Sequence, residues 1–350
     1  MARRIRAARR YARNCPDTAC SSCRIANPDK RLQPISRYNS TAMQILRGLY
    51  SHDTQPVALT IGNFDGVHLG HQALLNELLA AAEARSLRSA VVIFEPHPRE
   101  FFDPQQAPAR LTSLREKLEF FSALGLDRVH VCRFNAHFAQ MSAVNFINVL
   151  HGKLSAKFVL IGDDFRFGSG RSGDFGLMEM IGAKQGFAVQ SVHSVKHDGV
   201  RISSTAVRAA LAAGQLRSAQ RYLGRHYSIS GRVVHGDGMG KKLGFPTANI
   251  QLKHNRPPLS GIYVVNAHAE GLGVLRGVAS LGVRPTVKHD DKPVLEVHLF
   301  EFSQQIYGKH LRVEFLQKLR DEEKYPDVAT LARHIALDVE QAKKWFEQHD

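Results

Sequence analysis

In IGNFDGVHLGHQ (61–72) a strand-like run passes Gly62, Asp65 and Gly66 and enters a helical pattern carrying His68 and His71. At a helix start the unpaired N–H groups and the dipole favour an anion, and glycine lets the backbone approach it. Imidazoles at i and i+3 add donors on one side of that anion, where they can steady charge building on a phosphate during nucleotidyl transfer. A metal pair is the competing reading, but it needs a third ligand and usually lies within a regular helix. Histidines merely exposed in a turn are a third. RISSTAVRAAL (201–211) decides among them: Ser203, Ser204 and Thr205 stand at a second helix start, with Arg201 just before and Arg208 one turn on. Hydroxyls, free N–H groups and guanidinium together make a polyphosphate cradle. An ordinary capped helix would account for this segment alone; the two segments together favour phosphate.

A second set lies further along. In GDGMGKKLGFPTANI (236–250) four glycines, among them Gly240, and the lysines Lys241 and Lys242 make a mobile cationic loop able to fold over phosphates. The FPTAN that follows presents the Thr247 hydroxyl and the Asn249 amide oxygen two residues apart. Such hard oxygen ligands suit Mg²⁺, which needs few protein ligands beside substrate phosphates. A glycine-rich hairpin turn is the plainer alternative, and the G-x-x-x-x-G-K-[ST] order of a P-loop is absent. LEVHLFEF (295–302) alternates like a half-buried strand, which puts Glu296 and His298 on one face. Two solvent-facing polar residues would give the same pattern.

These residues need a scaffold. Apolar runs at 57–64, 89–96, 127–134, 157–165 and 187–195 read as strands, several of them apolar on consecutive positions as in a parallel sheet covered on both faces. Helical patterns at 71–86, 113–125 and 142–154 alternate with them. That grammar is a doubly wound parallel α/β sheet, which binds ligands beyond the carboxyl ends of its strands. IGNFDGVHLGH stands at one such end. After helical stretches at 203–213 and 216–223, the segments HYSISGRVVHG, SGIYVVNAHAE, RGVASLGV, PVLEVHLFEF and HLRVEFLQKLR are β-rich and punctuated by Gly and Pro. They predict a small antiparallel β-barrel. Residues 328–348 form a closing amphipathic helix with Val328, Leu331, Ile335 and Val339 along one stripe. The expected domains are 43–225 and 226–350.

The net charge of +15 suggests a nucleic-acid binder, but residues 1–42 hold ten Lys/Arg against two Asp, more than half of that excess. A nucleic-acid binder would instead carry a basic stripe through its folded body. This segment also carries Cys15, Cys20 and Cys23, without a fourth thiol at zinc-ligand spacing. An Arg-rich leader of this kind fits an organellar transit peptide. A disordered extension, or upstream sequence read from a misassigned start, is the preferred reading. No apolar run reaches the ~18 residues a membrane span needs. Cys132, the one remaining thiol, has no partner for a disulfide in the body, which fits a reducing cytoplasm.

GNFDGVHLGH resembles the His-x-Gly-His signature of the nucleotidylyltransferase superfamily, and ISSTAVR resembles its second, triphosphate-gripping motif. FEPHP (94–98), RLTSLREK (110–117) and IGDDFRFG (161–168) resemble the FAD synthetase module of bacterial bifunctional riboflavin kinase/FMN adenylyltransferases. That module transfers AMP from ATP to FMN and releases pyrophosphate. The resemblance implies that His68 and His71 contact the ATP phosphates, that Asn63 lies beside them and that Asp164 helps hold the nucleotide. Arg201, Ser204 and Arg208 would grip the triphosphate. Many relatives carry Asn where this chain has Asp164. GKKLGFPTAN, SGIYVV, ASLGVRPTV, LEVHLFEF and LRDEEKYP are similar to the riboflavin kinase domain. By that resemblance Glu296 is the base on the ribityl 5′-hydroxyl, and Thr247 and Asn249 bind Mg²⁺ and phosphate. Lysine in the flap, where relatives often have Arg, keeps the charge but loses the bidentate grip.

The expectation is therefore a cytoplasmic enzyme that phosphorylates riboflavin to FMN and adenylylates FMN to FAD, using ATP and Mg²⁺, with neither nucleic acid nor membrane as partner. Oligomeric state is left open. Another nucleotidylyltransferase, of cytidylyl or pantetheine-phosphate type, would account for residues 57–214 but leave the FPTAN barrel without a role.

Overall fold

A computed structural model describes residues 43–49, 55–192, 196–197, 200–253, 256–283 and 293–349. The basic extension with its three cysteines, the end of the expected strand at 193–195 and the RPTV of ASLGVRPTV lie outside the described residues.

The first half alternates as expected: β1 (Gln44–Arg47), β2 (Val57–Ile61), α1 (Leu69–Ala84), β3 (Arg88–Glu95), α2 (Pro98–Phe102), α3 (Leu114–Ala123) and β4 (Arg128–Arg133). There follow α4 (Ala136–Ala139), α5 (Ala143–Leu154), β5 (Ala156–Gly162), α6 (Phe175–Gln185) and β6 (Ala188–Val192). The six strands pair in the order β1-β4-β3-β2-β5-β6, every pair parallel. β2 is buried along its whole length, because apolar clusters cover both faces of the sheet. Strand order reverses between β2 and β5, so their carboxyl ends diverge and open a crevice there.

Four of these elements were not expected from the sequence, and two of them, α2 and α4, are no more than a turn or so long. β1 is a short edge strand, mostly exposed, so it lacks the apolar run that marks the central strands. α6 buries little beyond Met178 and Gly182, so its apolar face is too narrow to read; Asp174 caps it and Gly186 ends it.

A two-stranded hairpin, β7 (Lys196–His197) and β8 (Val200–Arg201), leads into α7 (Ser204–Ala212) and α8 (Leu216–Leu223). The chain then forms β9 (Ser228–Val234), α9 (Met239–Lys242), β10 (Ala248–Gln251), β11 (Gly261–Ala269), β12 (Gly273–Val283), β13 (Pro293–Leu299) and β14 (His310–Arg320). The six strands β9–β14 close into an antiparallel barrel, ordered β10-β13-β12-β11-β14-β9. Its interior is continuous with the apolar faces of α7 and α8 and with Leu111, so sheet and barrel pack as one unit.

α10 (Val328–His349) lies on the barrel's outside, and the expected stripe continues through Val339 to Ala342 and Phe346, with its burial confined to the second half of the helix. Val328 is 58% exposed, and the fully buried positions are Asp338, Ala342 and Phe346. The reason is a polar anchor: Asp338 accepts Nε and Nη2 of Arg320 at 2.8 and 2.7 Å, pulling the second half of the helix onto β14.

Candidate active sites

The crevice at the β2/β5 divergence is a cavity of about 430 Å³. It gathers Asn63, His68, His71, Asp164, Arg201, Ser204, Thr205 and Arg208, residues the sequence spreads over some 145 positions. Two helix starts face it. α1 begins at His68 and α7 at Ser203, both in extended backbone, with Ser203 Oγ accepting the N–H of Ala206 at 3.2 Å. Gly70 lets these starts meet: a Cβ there would lie 3.2 Å from the His68 ring and 3.6 Å from the Ile202 carbonyl.

His68 is itself the N-cap of α1, its Nδ1 accepting the His71 N–H at 3.3 Å. One of its two nitrogens is therefore spent on the helix, which refines the expectation of two freely donating rings. Because Nδ1 accepts, a neutral His68 carries its hydrogen on Nε2. Burial pushes the His68 pKa down to about 4, helped by Arg225 and Arg208 and opposed by Asp65. The His71 ring stacks on His68 at 3.6 Å, and burial followed by its neighbour His68 holds its pKa well below the ordinary value. Both rings are neutral at pH 7, so they offer hydrogen bonds rather than charge. His97 repeats the device: its Nδ1 caps α2 by accepting the Arg99 N–H at 3.1 Å, and burial lowers its pKa to about 4.

Both guanidinium groups expected at the triphosphate line the cavity, and each already holds a carboxylate. Arg208 Nη2 donates to Asp65 Oδ2, and its Nε donates to the Ala109 carbonyl at 2.6 Å. Ser204 Oγ donates to the Asp65 carbonyl at 2.9 Å. Arg201 and Asp164 pair with each other at the mouth, both more than half exposed. Thr205 is exposed. Arg208 and Ser204 thus brace the loop that carries the histidines, while Arg201, Asp164 and Thr205 face solvent.

Asp65 is the hub that sequence reasoning passed over, although it sits inside the quoted motif. Only 2% exposed, it accepts the N–H of Leu111 at 3.1 Å and of Thr112 at 3.0 Å as well as Arg208. Burial alone would raise its pKa, but Arg208, Lys117 and the two amides together hold it below the usual carboxylate range. Lys117, wholly buried, donates to the Asn63 carbonyl and to Glu95, both at 3.1 Å. Arg110 forks onto Glu95 and Glu100. This network explains why RLTSLREK resembles a signature: Arg110, Thr112 and Lys117 hold the site's floor.

The loop they hold is strained. Phe64 and Val67 have φ of 49° and 40°, and Gly66 has 84°. A β-branched residue in the left-handed region is an outlier that costs on the order of 1–3 kcal/mol and persists only where the surroundings over-determine it.

The second set converges on the outer surface of the barrel. Leu295, Val297 and Leu299 of β13 point into the barrel, so Glu296 and His298 share the outward face, as the alternation predicts. Asn249 of β10 is directly opposite Glu296, and Ser280 of β12 opposes it from the other side. Directly opposed residues bring their Cβ atoms within about 5 Å, so carboxylate and amide adjoin. His298 is anchored by Nδ1 to the Pro246 carbonyl at 2.9 Å. The glycine-rich segment is not wholly irregular: Met239–Lys242 makes one helical turn, leaving the side chains of Lys241 and Lys242 exposed. Gly240 packs down on FPTAN, where a Cβ would meet the Phe245 carbonyl at 2.5 Å and Thr247 Oγ1 at 3.1 Å. Among the described residues no cluster of His, Cys, Asp and Glu could hold a metal ion by itself. A hydroxyl and an amide oxygen fit the other kind of site, in which phosphates complete the shell.

Comparison with known proteins bears on both surfaces. The FAD synthetase family profile matches residues 50–206, and the riboflavin kinase profile matches 223–346. A bifunctional riboflavin kinase/FMN adenylyltransferase of Escherichia coli K12 is 45% identical over 308 residues, covering 87% of this chain and 98% of its own. A protein of the same description from Haemophilus influenzae is 45% identical over 307 residues, covering 87% and 99%. Among solved structures, a Streptococcus pneumoniae protein described as a macrolide-efflux protein has a TM-score of 0.73 at 28% identity, covering 87% of this chain and 99% of that one. Among the described residues no helix is long and apolar enough to cross a membrane.

Proposed function

The chain belongs to the bifunctional riboflavin kinase/FMN adenylyltransferase family, and we propose that it makes FMN from riboflavin on the barrel and FAD from FMN in the crevice of the parallel sheet. The observation that carries this reading is the convergence of two helix starts and the His68–His71 pair in one cavity.

In the crevice an oxygen of the FMN phosphate attacks the α-phosphorus of ATP and pyrophosphate leaves. Nε2–H of the neutral His68 and the unpaired first-turn N–H groups donate to phosphate oxygens as negative charge builds. Neutral donors suit this task, because they strengthen with the developing charge and need no proton exchange. Arg201, Asp164 and Thr205, lying at the mouth, bind the nucleotide as it enters, with Arg201 leaving Asp164 for a phosphate. On the barrel, Glu296 takes the proton of the ribityl 5′-hydroxyl, whose oxygen attacks the γ-phosphorus of ATP and releases ADP. Lys241 and Lys242 approach the phosphates from the flap. Thr247 and Asn249 would hold Mg²⁺, which supplies charge neutralisation on the phosphates.

The same proposal divides the chain at residue 226, treats residues 1–42 as dispensable and assigns the enzyme to the cytoplasm. It also gives the barrel the role that a nucleotidylyltransferase of another substrate would leave unfilled. The test is to incubate the full chain with riboflavin, ATP and Mg²⁺ and separate riboflavin, FMN and FAD by chromatography. Wild type should yield FAD, whereas a variant carrying His68→Ala and His71→Ala should accumulate FMN. Undiminished FAD from that folded variant would overturn the role of the histidines.

A further inference from the structure

Between α8 and the first barrel strand lie four connector residues, Gly224, Arg225, His226 and Tyr227. Gly224, at φ 72°, packs against the first residue of α1; a Cβ there would meet Leu69 Cδ2 at 2.7 Å. Arg225 reaches from this connector into the histidine loop. Its Nη2 donates to the Gly66 carbonyl at 2.6 Å, and its Nη1 donates to the carbonyls of Val67 and Leu223, each at 3.1 Å. The guanidinium lies over the Phe120 ring, 3.8 Å from its centroid, which fixes its plane. Gln72 of α1 runs a parallel bridge, with Nε2 donating to Val67 at 2.8 Å and to Leu223 at 2.9 Å. Two side chains thus tie the same loop carbonyl to the same carbonyl at the end of α8.

The loop needs such a tie. Gly66 and Val67 both hold positive φ, and the next residue is His68, whose cap on His71 sets the ring positions. A planar fork with several donors can hold two successive carbonyls in an unfavourable backbone conformation; an ammonium on a flexible stem cannot match it.

We propose that Arg225 is a positioning residue for adenylyl transfer, clamping the carbonyls of Gly66 and Val67 so that His68 and His71 stay aligned on the phosphates. It touches neither substrate nor the reacting atoms. Because it stands where the chain passes to the barrel, the clamp makes the geometry of the adenylyl-transfer site depend on how the barrel is joined. Sequence alone offered no hint of it, since Arg225 belongs to neither motif set. The inference rests on the reading of the crevice as the FAD-forming site.

The test uses the full chain and follows both reactions in each variant. If wild type does not convert FMN to FAD, the reading of the crevice fails. If it does, Arg225→Lys should lower kcat for FAD formation by about ten- to a hundredfold, the scale of a small misplacement of catalytic groups. KM for ATP in that reaction should change less than about threefold, because the lost interaction matters in the transition state rather than in ground-state binding. Kinase turnover should remain near wild type. Gln72→Leu should act in the same direction more weakly, and the double variant should lose less than the product of the single effects, since both hold one loop. Full FAD-forming kcat in Arg225→Lys would overturn the proposal, as would a change in KM alone. Should Arg225→Lys lose kinase turnover too, Gln72→Leu decides: a selective fall in FAD-forming kcat supports the clamp, and no change overturns it.

Discussion

The two reaction surfaces are built in contrasting ways. The crevice takes its residues from β2, α1, the loops after β3 and β5, and α7, and a buried charged network reaching to α3 holds them. The proposed kinase face takes Asn249, Glu296 and Ser280 from three adjacent strands, whose ladder register sets them side by side. A register fixed by backbone pairing needs no supporting side-chain network, since each strand's inward residues already lock it. A loop between strand and helix has no such ladder. It must be pinned carbonyl by carbonyl, as Asn63 is by Lys117, Asp65 by Ser204, and Gly66 and Val67 by Arg225. Removing a side chain should therefore cost stability in the crevice and mostly activity on the barrel.

Glu296→Gln is the largest expected effect and the purest in kind. It should lower FMN formation from riboflavin by roughly 10²–10⁴, the usual contribution of a positioned base. Unfolding free energy should barely move, and FAD formation from supplied FMN should persist. Rates of the two steps, measured separately, check this; a kinase that keeps its rate would remove Glu296 from the mechanism.

Asp65→Ala inverts the pattern. It strands Arg208 and leaves two buried amides without an acceptor, so it should destabilise the protein by about 3–5 kcal/mol. Denaturant unfolding reads this directly. A loss below about 1 kcal/mol would mean the network is not what holds the loop.

Acid sharpens the same contrast. His68 and His97 titrate near 4 in the folded chain against an ordinary 6.5. Between those values the unfolded chain binds protons the folded chain refuses, so stability is intact above pH 6.5 and falls as pH drops towards 4. Each histidine contributes at most about 3 kcal/mol to that loss. Asp65, with its lowered pKa, adds a further loss only as pH falls below the ordinary aspartate value of 3.8. Unfolding curves at pH 7.5 and 4.5 should differ by several kcal/mol, and His97→Gln should narrow the gap. Equal stability at both pH values would contradict neutral imidazoles.

Lys242→Ala should have the smallest effect. Its exposed position on the flap makes it a screened contact with phosphate, worth about 0.5–1 kcal/mol. The expected result is a KM for ATP raised about two- to fivefold in the kinase reaction alone. Any change in FAD formation would show that the flap serves both sites.

The sequence by itself determined the elements and the motifs. Consecutive apolar runs read as strands covered on both faces, and alternation at 295–299 sets Glu296 opposite the apolar face. His-x-Gly-His at a strand-to-helix turn and serines at a second helix start are local facts, legible because capping and anion binding depend on residues a few positions apart. What tertiary structure decided was which groups remain free to act. That Arg208 is held by Asp65 and Ala109 as well as lining the cavity is decided by the fold, which brings three distant segments together. His68 reads as a freely donating ring until the helix claims Nδ1 and burial keeps the ring neutral. Which half of α10 the barrel buries is likewise a tertiary matter, because the Asp338–Arg320 pair lies on two elements and leaves no periodic trace. Periodicity and spacing report a residue's own backbone, whereas desolvation and ion pairing depend on segments that only the folded chain brings together.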